Sequence, residues 1–380
     1  MDKEKSIAIS GTFVLCHNLL LFSPIRTMII LIQPRGGFFM YSFCNDYSEG
    51  AHPRILEALM QNNLIQNTGY SLDSHSDHAR ELIQKEIKCP DADIHFLVGG
   101  TQTNLTIIAA ALRSHQAVVC AQTGHINVHE TGAIESTGHK VLGQPAADGK
   151  LTPADIQNAL DLHTDEHMVQ PKMVYISNST EVGTQYTKTE LEELSRFCRQ
   201  HHLYLFLDGA RLGAALTSPI NDLTLADIAN LVDVFYIGGT KNGALFGEAV
   251  IITAPELKAD FRFMMKQRGG MLAKGWLLGI QFEELFQNQL FYEMAEHAND
   301  MAAVLRKGIA ECGYEFHWNS MTNQLFPIFP DTVIETLSKD FSFHPQVVID
   351  DTHTCIRLVT SWATRPDGVN LFLGKLKSLN

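Results

Sequence analysis

Asp208 and Lys241 stand at the ends of two apolar runs, and their side-chain types in those places suit one chemistry. Asp208 follows Leu203-Tyr-Leu-Phe-Leu and opens Asp208-Gly-Ala-Arg211; Lys241 follows Val234-Phe-Tyr-Ile and Gly238-Gly-Thr. Each run has strand length, is rich in aromatic and branched residues, and is stopped by glycine. A lysine amine condenses with the aldehyde of pyridoxal phosphate, and a carboxylate keeps the pyridine nitrogen protonated so that the ring accepts electrons. A charge-assisted hydrogen bond of that kind is worth about 1.5–3 kcal/mol. The structural alternative is an Asp208–Arg211 pair and a solvated loop lysine. Residue types alone leave both readings open.

The elements that would position these groups are legible in the same terms. Neither run alternates apolar with polar, so each is expected to be covered on both faces, as in a parallel α/β sheet whose ligands sit at the carboxyl ends of strands. Ile94–Val98 reads as a further strand, after which Gly99-Gly100-Thr101-Gln102 opens a helix to about Leu112. A strand–glycine–helix turn suits phosphate, because backbone N–H groups and the helix dipole face the anion. Gly100 allows close approach, and Thr101 and Gln102 can add donors. The spacing is neither that of a Walker nor of a Rossmann turn. Val118–Ala121 leads to His125, and Met173–Ser177 leads to Asn178-Ser-Thr-Glu181. Helices are expected over Pro53–Leu64, Ala154–Leu162, Thr189–His201, Trp276–Leu285 and Met294–Glu311. For the third, Thr189 and Glu192 form the expected capping box. The alternation of strands and helices argues for a doubly wound sheet.

Four stretches together resemble one family. Phe206-Leu-Asp-Gly-Ala-Arg-Leu212 resembles the H-x-D-G-A-R signature of the low-specificity L-threonine aldolases, with Phe206 in place of histidine. These are fold-type-I pyridoxal phosphate enzymes of the β-eliminating lyase group. Phe96–Leu105 is similar to the family's phosphate loop, His125-Ile-Asn-Val-His-Glu130 to its histidine segment, and Ile356-Arg-Leu-Val-Thr360 to its carboxylate-binding arginine segment. The order is kept from about Tyr41 to the C-terminus. The resemblance implies pyridoxal 5'-phosphate held by Lys241, Asp208 and His125 (stacked on the ring), and by Gly100, Thr101, Gln102 and Arg211. It implies a substrate carboxylate held by Arg357 and by Asn45, which stands where the family has serine. It also implies a homo-oligomer, dimer or tetramer, with sites at subunit interfaces and Tyr70 reaching a neighbour. The chain departs from the pattern in places. Glu181 replaces a histidine proposed to help at the β-hydroxyl, the loop after Lys241 is shorter by a residue, and Leu272 replaces an arginine. Lys274 or Arg268 is then the expected phosphate contact, reaching it from an adjacent subunit; the alternative is a solvated basic loop.

Composition narrows the classes. The 380 residues are 45% hydrophobic and 19% charged, normal for a globular protein, with a net charge of -13 that argues against a nucleic-acid partner. Seven scattered cysteines without a C-x-x-C pair fit reduced thiols in the cytoplasm. Gly11–Ile32 is apolar, but Lys3 and Lys5 are balanced by Asp2 and Glu4, and Arg26 would cost about 2.5–3.5 kcal/mol in a membrane. The expectation is therefore neither a signal nor an anchor. Residues 1–39 are read as an extension, disordered or upstream of the true start. Residues 40–290 are read as the large cofactor domain with its N-terminal arm, and residues 291–380 as a small α+β domain.

The expected fold is thus α/β, fold type I, with a mostly parallel sheet of seven-strand type. The expected reaction is retro-aldol cleavage of L-threonine or L-allo-threonine to glycine and acetaldehyde. The β-hydroxyl base is His125, a held water or Glu181. Another pyridoxal phosphate lyase or an aminotransferase is the alternative. Asp73, His75, Asp77 and His78 lie close enough to suggest a metal, but lack a recognised ligand spacing and read better as a capped helix start.

Overall fold

In the computed structural model, which describes residues 40–379, successive residues of each apolar run turn to opposite faces of one sheet. Leu205 and Leu207 enter one core and Phe206 the other; Phe235 and Ile237 part from Val234 and Tyr236 in the same way. The absence of polar alternation in the sequence is accounted for by this double burial. The reading of residues 1–39 falls outside the described residues.

The sheet has seven strands, in the spatial order Asp93–Leu97, Glu248–Ile252, Val234–Gly238, Tyr204–Asp208, Gln170–Ser177, Gln116–Ala121 and Lys140–Gln144. Glu248–Ile252 is antiparallel to both neighbours, whereas the other pairings are parallel. The carboxyl ends of the parallel strands and the start of Glu248–Ile252 therefore meet at one edge. One face is covered by helices that include Ser74–Ile87, Lys188–Gln200 and Trp276–Phe286, and the other by Gly100–Ala111 and Phe261–Gln267.

Gly209 shows why the sequence after Asp208 needs a glycine. A Cβ there would run into the carbonyl oxygen of Tyr236 on the adjacent strand. The 22-residue helix Leu290–Glu311 then leads to a four-stranded antiparallel sheet that includes Ile328–Pro330, His344–Val348 and His353–Val359. A separate apolar cluster joins that sheet to Pro366–Lys377 and to Phe43 of the N-terminal arm. The arm's Tyr41–Ser42 pairs in parallel with Phe341–Ser342.

One expected boundary is corrected. The helix placed at Thr189–His201 runs over Lys188–Gln200, capped by Thr187 with Glu190 completing the box. Two Thr–Glu pairs share the same spacing here, and the earlier one sits where the chain leaves extended backbone. Asp73 caps Ser74–Ile87, accepting from the Ser76 N–H. His75 and His78 of that helix share the carboxylate of Glu283, at 2.6 and 2.8 Å. Asp77, the fourth side chain that had suggested a metal, pairs with Arg80 at 2.7 Å.

Candidate active site

The sheet edge gathers side chains from several strand ends. A cavity of about 250 Å³ is lined by Gly99 and Gly100 after Asp93–Leu97, His125 after Gln116–Ala121, and Ser177 and Glu181 after Gln170–Ser177; Asp208, Arg211, Thr240 and Lys241 complete the ends of the next two strands. Tyr47, Tyr236 and Glu248 also line it. A second cavity of about 520 Å³ shares Tyr47, His125, Glu181, Arg211 and Lys241, and adds Arg357, His129, Trp318, Gln346 and Val347. Lys241, Asp208, His125, Glu181, Gly100 and Arg211 are thus brought together, and Arg357 stands in the outer chamber.

Asp208 is 4% exposed. Its Oδ2 accepts from the Tyr175 hydroxyl at 2.5 Å and from Asn104 Nδ2 at 3.2 Å, and its Oδ1 from the Ala210 N–H at 3.0 Å. The Asp208–Arg211 pair of the structural alternative does not form. Arg211 instead grips both oxygens of Asp46, at 2.7 and 3.0 Å. Burial alone would raise the Asp46 carboxyl, but Arg211 and then Lys241 hold it below the ordinary value. Lys241 makes no hydrogen bond or ion pair among the described residues. Burial, reinforced by Arg211, lowers its affinity for a proton. That shift favours the neutral amine, the form that is nucleophilic.

His125 is held at two points. Its N–H donates to Glu181 Oε1 at 2.9 Å, and its Nδ1 lies 2.8 Å from Glu130 Oε1. That Glu130 oxygen also accepts from Asn104 Nδ2 at 2.7 Å. A carboxylate oxygen accepts, so in the neutral ring the proton sits on Nδ1 and the lone pair is on Nε2. Glu181 Oε1 additionally accepts from the Ser177 hydroxyl at 2.8 Å. Burial, with Asp208 adding to it, raises the Glu181 carboxyl.

The helix Gly100–Ala111 starts from Gly99 without a side-chain cap. Its first N–H groups lack intrahelical acceptors and are left for an anion. A Cβ on Gly100 would come within 3.2 Å of the Tyr236 hydroxyl. This uncapped cradle, the unpaired amine of Lys241 and the anchored Asp208 fit a phosphorylated pyridine aldehyde. Arg357 would serve a carboxylate: its Nε is buried without a partner among the described residues.

Other expected contacts lie off the cavity wall. Asn45 spends its amide oxygen on the Tyr47 N–H and the Ser48 hydroxyl, both at 3.0 Å, and Tyr47 lines the cavity in its place. Gln102 closes its own turn, accepting from the Val98 N–H and donating to the Arg268 carbonyl. Thr101 and Lys274 are exposed, and neither lines the cavity. Sequence reasoning missed Tyr47, Asn104, Glu130, Tyr175, Tyr236 and Glu248. Only spacing could have pointed to some of them. Tyr236 shares its sheet face with Gly238, and Asn104 lies one helical turn beyond Gly100.

A fold of this topology with an acid and an unpaired lysine at adjoining strand ends defines a pyridoxal phosphate enzyme of fold type I. A solved threonine aldolase from Leishmania major is 55% identical, with a TM-score of 0.88 over 89% of this chain and 99% of that one. The aspartate aminotransferase of Thermus thermophilus shares the fold at 15% identity, with a TM-score of 0.69 over 90% and 92% of the two chains. The chain belongs to the beta-eliminating lyase family, whose model matches residues 61–330. It is 32% identical over 306 residues to the low specificity L-threonine aldolase of Pseudomonas aeruginosa, covering 78% of this chain and 86% of the relative. Its counterpart in Escherichia coli is 27% identical over 261 residues, 67% and 74% of the two.

Proposed function

We propose that the chain is a pyridoxal phosphate-dependent aldolase that cleaves L-threonine and L-allo-threonine to glycine and acetaldehyde. The observation that carries this reading is the meeting of Lys241, Asp208 and His125 on the wall of one cavity. The threonine aldolases named above support the choice of substrate.

When bound, the cofactor supplies an acceptor for the electron pair left on Cα as the Cα–Cβ bond breaks. Lys241 offers the amine that holds the cofactor's aldehyde carbon. Asp208, fixed by Tyr175, Asn104 and the Ala210 N–H, is the acceptor for the pyridine N–H. The free N–H groups of Gly100, Thr101 and Gln102 take the phosphate. Arg357 orients the substrate carboxylate as a planar fork. His125 Nε2 takes the β-hydroxyl proton, its ring fixed by Glu130 and its backbone by Glu181. Cleavage then releases the aldehyde.

We assign residues 40–290 to a large cofactor-binding part and 291–380 to a small one, and place the protein in the cytoplasm. No helix among the described residues is long and apolar enough to cross a membrane. We also propose a homo-oligomer. Met60, Leu64, Ile65, Leu72 and Phe263 are exposed apolar side chains that a second copy would cover.

The test is to load the purified protein with pyridoxal phosphate, record its visible cofactor band, and assay glycine and acetaldehyde after adding each threonine isomer. Lys241→Ala should lose both the band and the products. A Lys241-dependent band that yields other products would move the function to another lyase or an aminotransferase.

A further inference from the structure

Of the three carboxyl side chains on the cavity wall, Glu181, Asp208 and Glu248, the proposed reaction assigns no task to Glu248. Glu248 opens the antiparallel strand, so it arrives at the sheet edge beside the catalytic groups. Its strand partners are Leu97, just ahead of Gly99, and Gly238, just ahead of Thr240 and Lys241. The carboxyl is thereby bracketed by the glycine turn and the lysine loop. It is 3% exposed. Oε1 accepts from the Thr240 hydroxyl at 2.8 Å, whereas Oε2 is buried without a partner among the described residues.

A buried anionic oxygen with no donor is the costly state of this group; a carboxylic acid with a proton to donate is the cheap one. The neighbouring elements bring few other charges. Lys241 comes from the following loop, Asp208 from a nearby strand, and the neutral hydroxyl of Tyr236 lies under Gly100. His95, farther along the Leu97 strand, is held neutral by burial. The helix Trp276–Phe286 presents Leu278 and Phe282 toward Gly247, the residue before Glu248. Burial pushes Glu248 up to about 8, with Lys241 opposing and Asp208 adding to the shift. An ionised Glu248 would meet the phosphate as a second anion in a small dry chamber, whereas a neutral one would meet it as a donor.

Resting on the cofactor reading above, we infer that Glu248 binds the cofactor phosphate as a neutral acid, donating its Oε2–H to a phosphoryl oxygen held at the N-terminus of Gly100–Ala111. In alkaline solution the free protein carries Glu248 as carboxylate, so loading takes up one proton from solvent. At Glu248 itself the O–H bond is the only covalent bond formed, and the condensation at Lys241, which releases water, is common to both ligands of the test below. In neutral solution the proton is already present and none is taken up.

The experiment titrates the full-length apoprotein with pyridoxal phosphate and, in parallel, with unphosphorylated pyridoxal. Calorimetry at about pH 9, in two buffers of different ionisation enthalpy, counts protons taken up. Both ligands condense with Lys241, so their difference isolates the phosphate site. Wild-type protein should take up about one more proton with the phosphorylated ligand, and the ratio of the two affinities should fall about tenfold per pH unit above about 8. Glu248→Gln keeps a donor without an ionisation, and should abolish the extra proton and flatten the ratio. Equal proton counts for the two ligands on wild-type protein would overturn the inference, as would a Glu248→Gln protein that keeps the extra uptake. If neither ligand binds at any pH, the cofactor reading fails instead.

Discussion

Glu130 Oε1 lies 2.8 Å from His125 Nδ1, and the same oxygen takes the amide of Asn104. One buried carboxylate thus fixes which ring nitrogen of His125 is bare. In Glu130→Gln the new amide can donate to Nδ1 and move the ring proton to Nε2. We predict a fall in kcat of about a hundredfold, within the range of a lost general base, with KM and the visible cofactor band little changed. Steady-state kinetics on the loaded enzyme, with the spectrum as control, measure this. An unchanged kcat would remove His125 from the proton transfer.

The Asp46–Arg211 pair ties the N-terminal arm to the loop after Asp208. Asp46 is buried and Arg211 largely so, and Asp46→Asn leaves a cation without its counter-charge. A loss of about 3–5 kcal/mol is expected in denaturant unfolding. The pH dependence follows in sign. The folded Asp46 carboxyl is held below its ordinary value. Its contribution is therefore present above about pH 4 and is lost as pH falls through the folded value. Asp46→Asn should lack that part of the acid transition.

A methyl group at Gly100 would crowd the Tyr236 hydroxyl at the mouth of the phosphate cradle. Gly100→Ala should weaken pyridoxal phosphate by about tenfold or more while leaving pyridoxal nearly unaffected, since the loss falls on close anion approach. Equilibrium binding of the two ligands distinguishes this from a general distortion, which would weaken both.

The corrected helix cap is also open to measurement. Thr187 accepts from the Glu190 N–H, and the Glu190 carboxylate returns to the Thr187 N–H at 2.8 Å. Thr187→Ala should cost about 1 kcal/mol and Thr189→Ala a few tenths at most. Thermal unfolding of the two variants should show the difference, and equal losses would contradict the assigned cap.

What the sequence made legible is what local rules govern. The runs before Asp208 and Lys241 could be read because burial on both faces requires continuous apolar residues. The turn at Gly99–Gly100 could be read because glycines between a strand and a helix leave the first N–H groups uncapped, and at Gly100 a Cβ would crowd the Tyr236 hydroxyl. Arg211, expected on the cofactor, lines the cavity and is held by Asp46 of the arm, a partner 165 residues away that no local pattern announces. Asn45 was carried over by position, but its amide closes a turn and Tyr47 lines the cavity in its place. Glu248 was hidden for another reason. It heads an apolar strand, where a carboxylate reads as an ordinary boundary residue until pairing with Leu97 and Gly238 shows which edge it occupies.

The two chambers differ in how freely they can be altered. Behind the inner wall Asn104 joins Glu130 to Asp208, and on it Glu181 joins Ser177 to His125. A substitution that removes one of these side chains leaves its partners short of a hydrogen bond, so the positions are constrained together. The outer wall takes Trp318, Gln346 and Val347 from the C-terminal region, outside that network. Attempts to redesign the enzyme for other aldehydes should begin there, where one residue can be exchanged without disturbing the rest of the machinery.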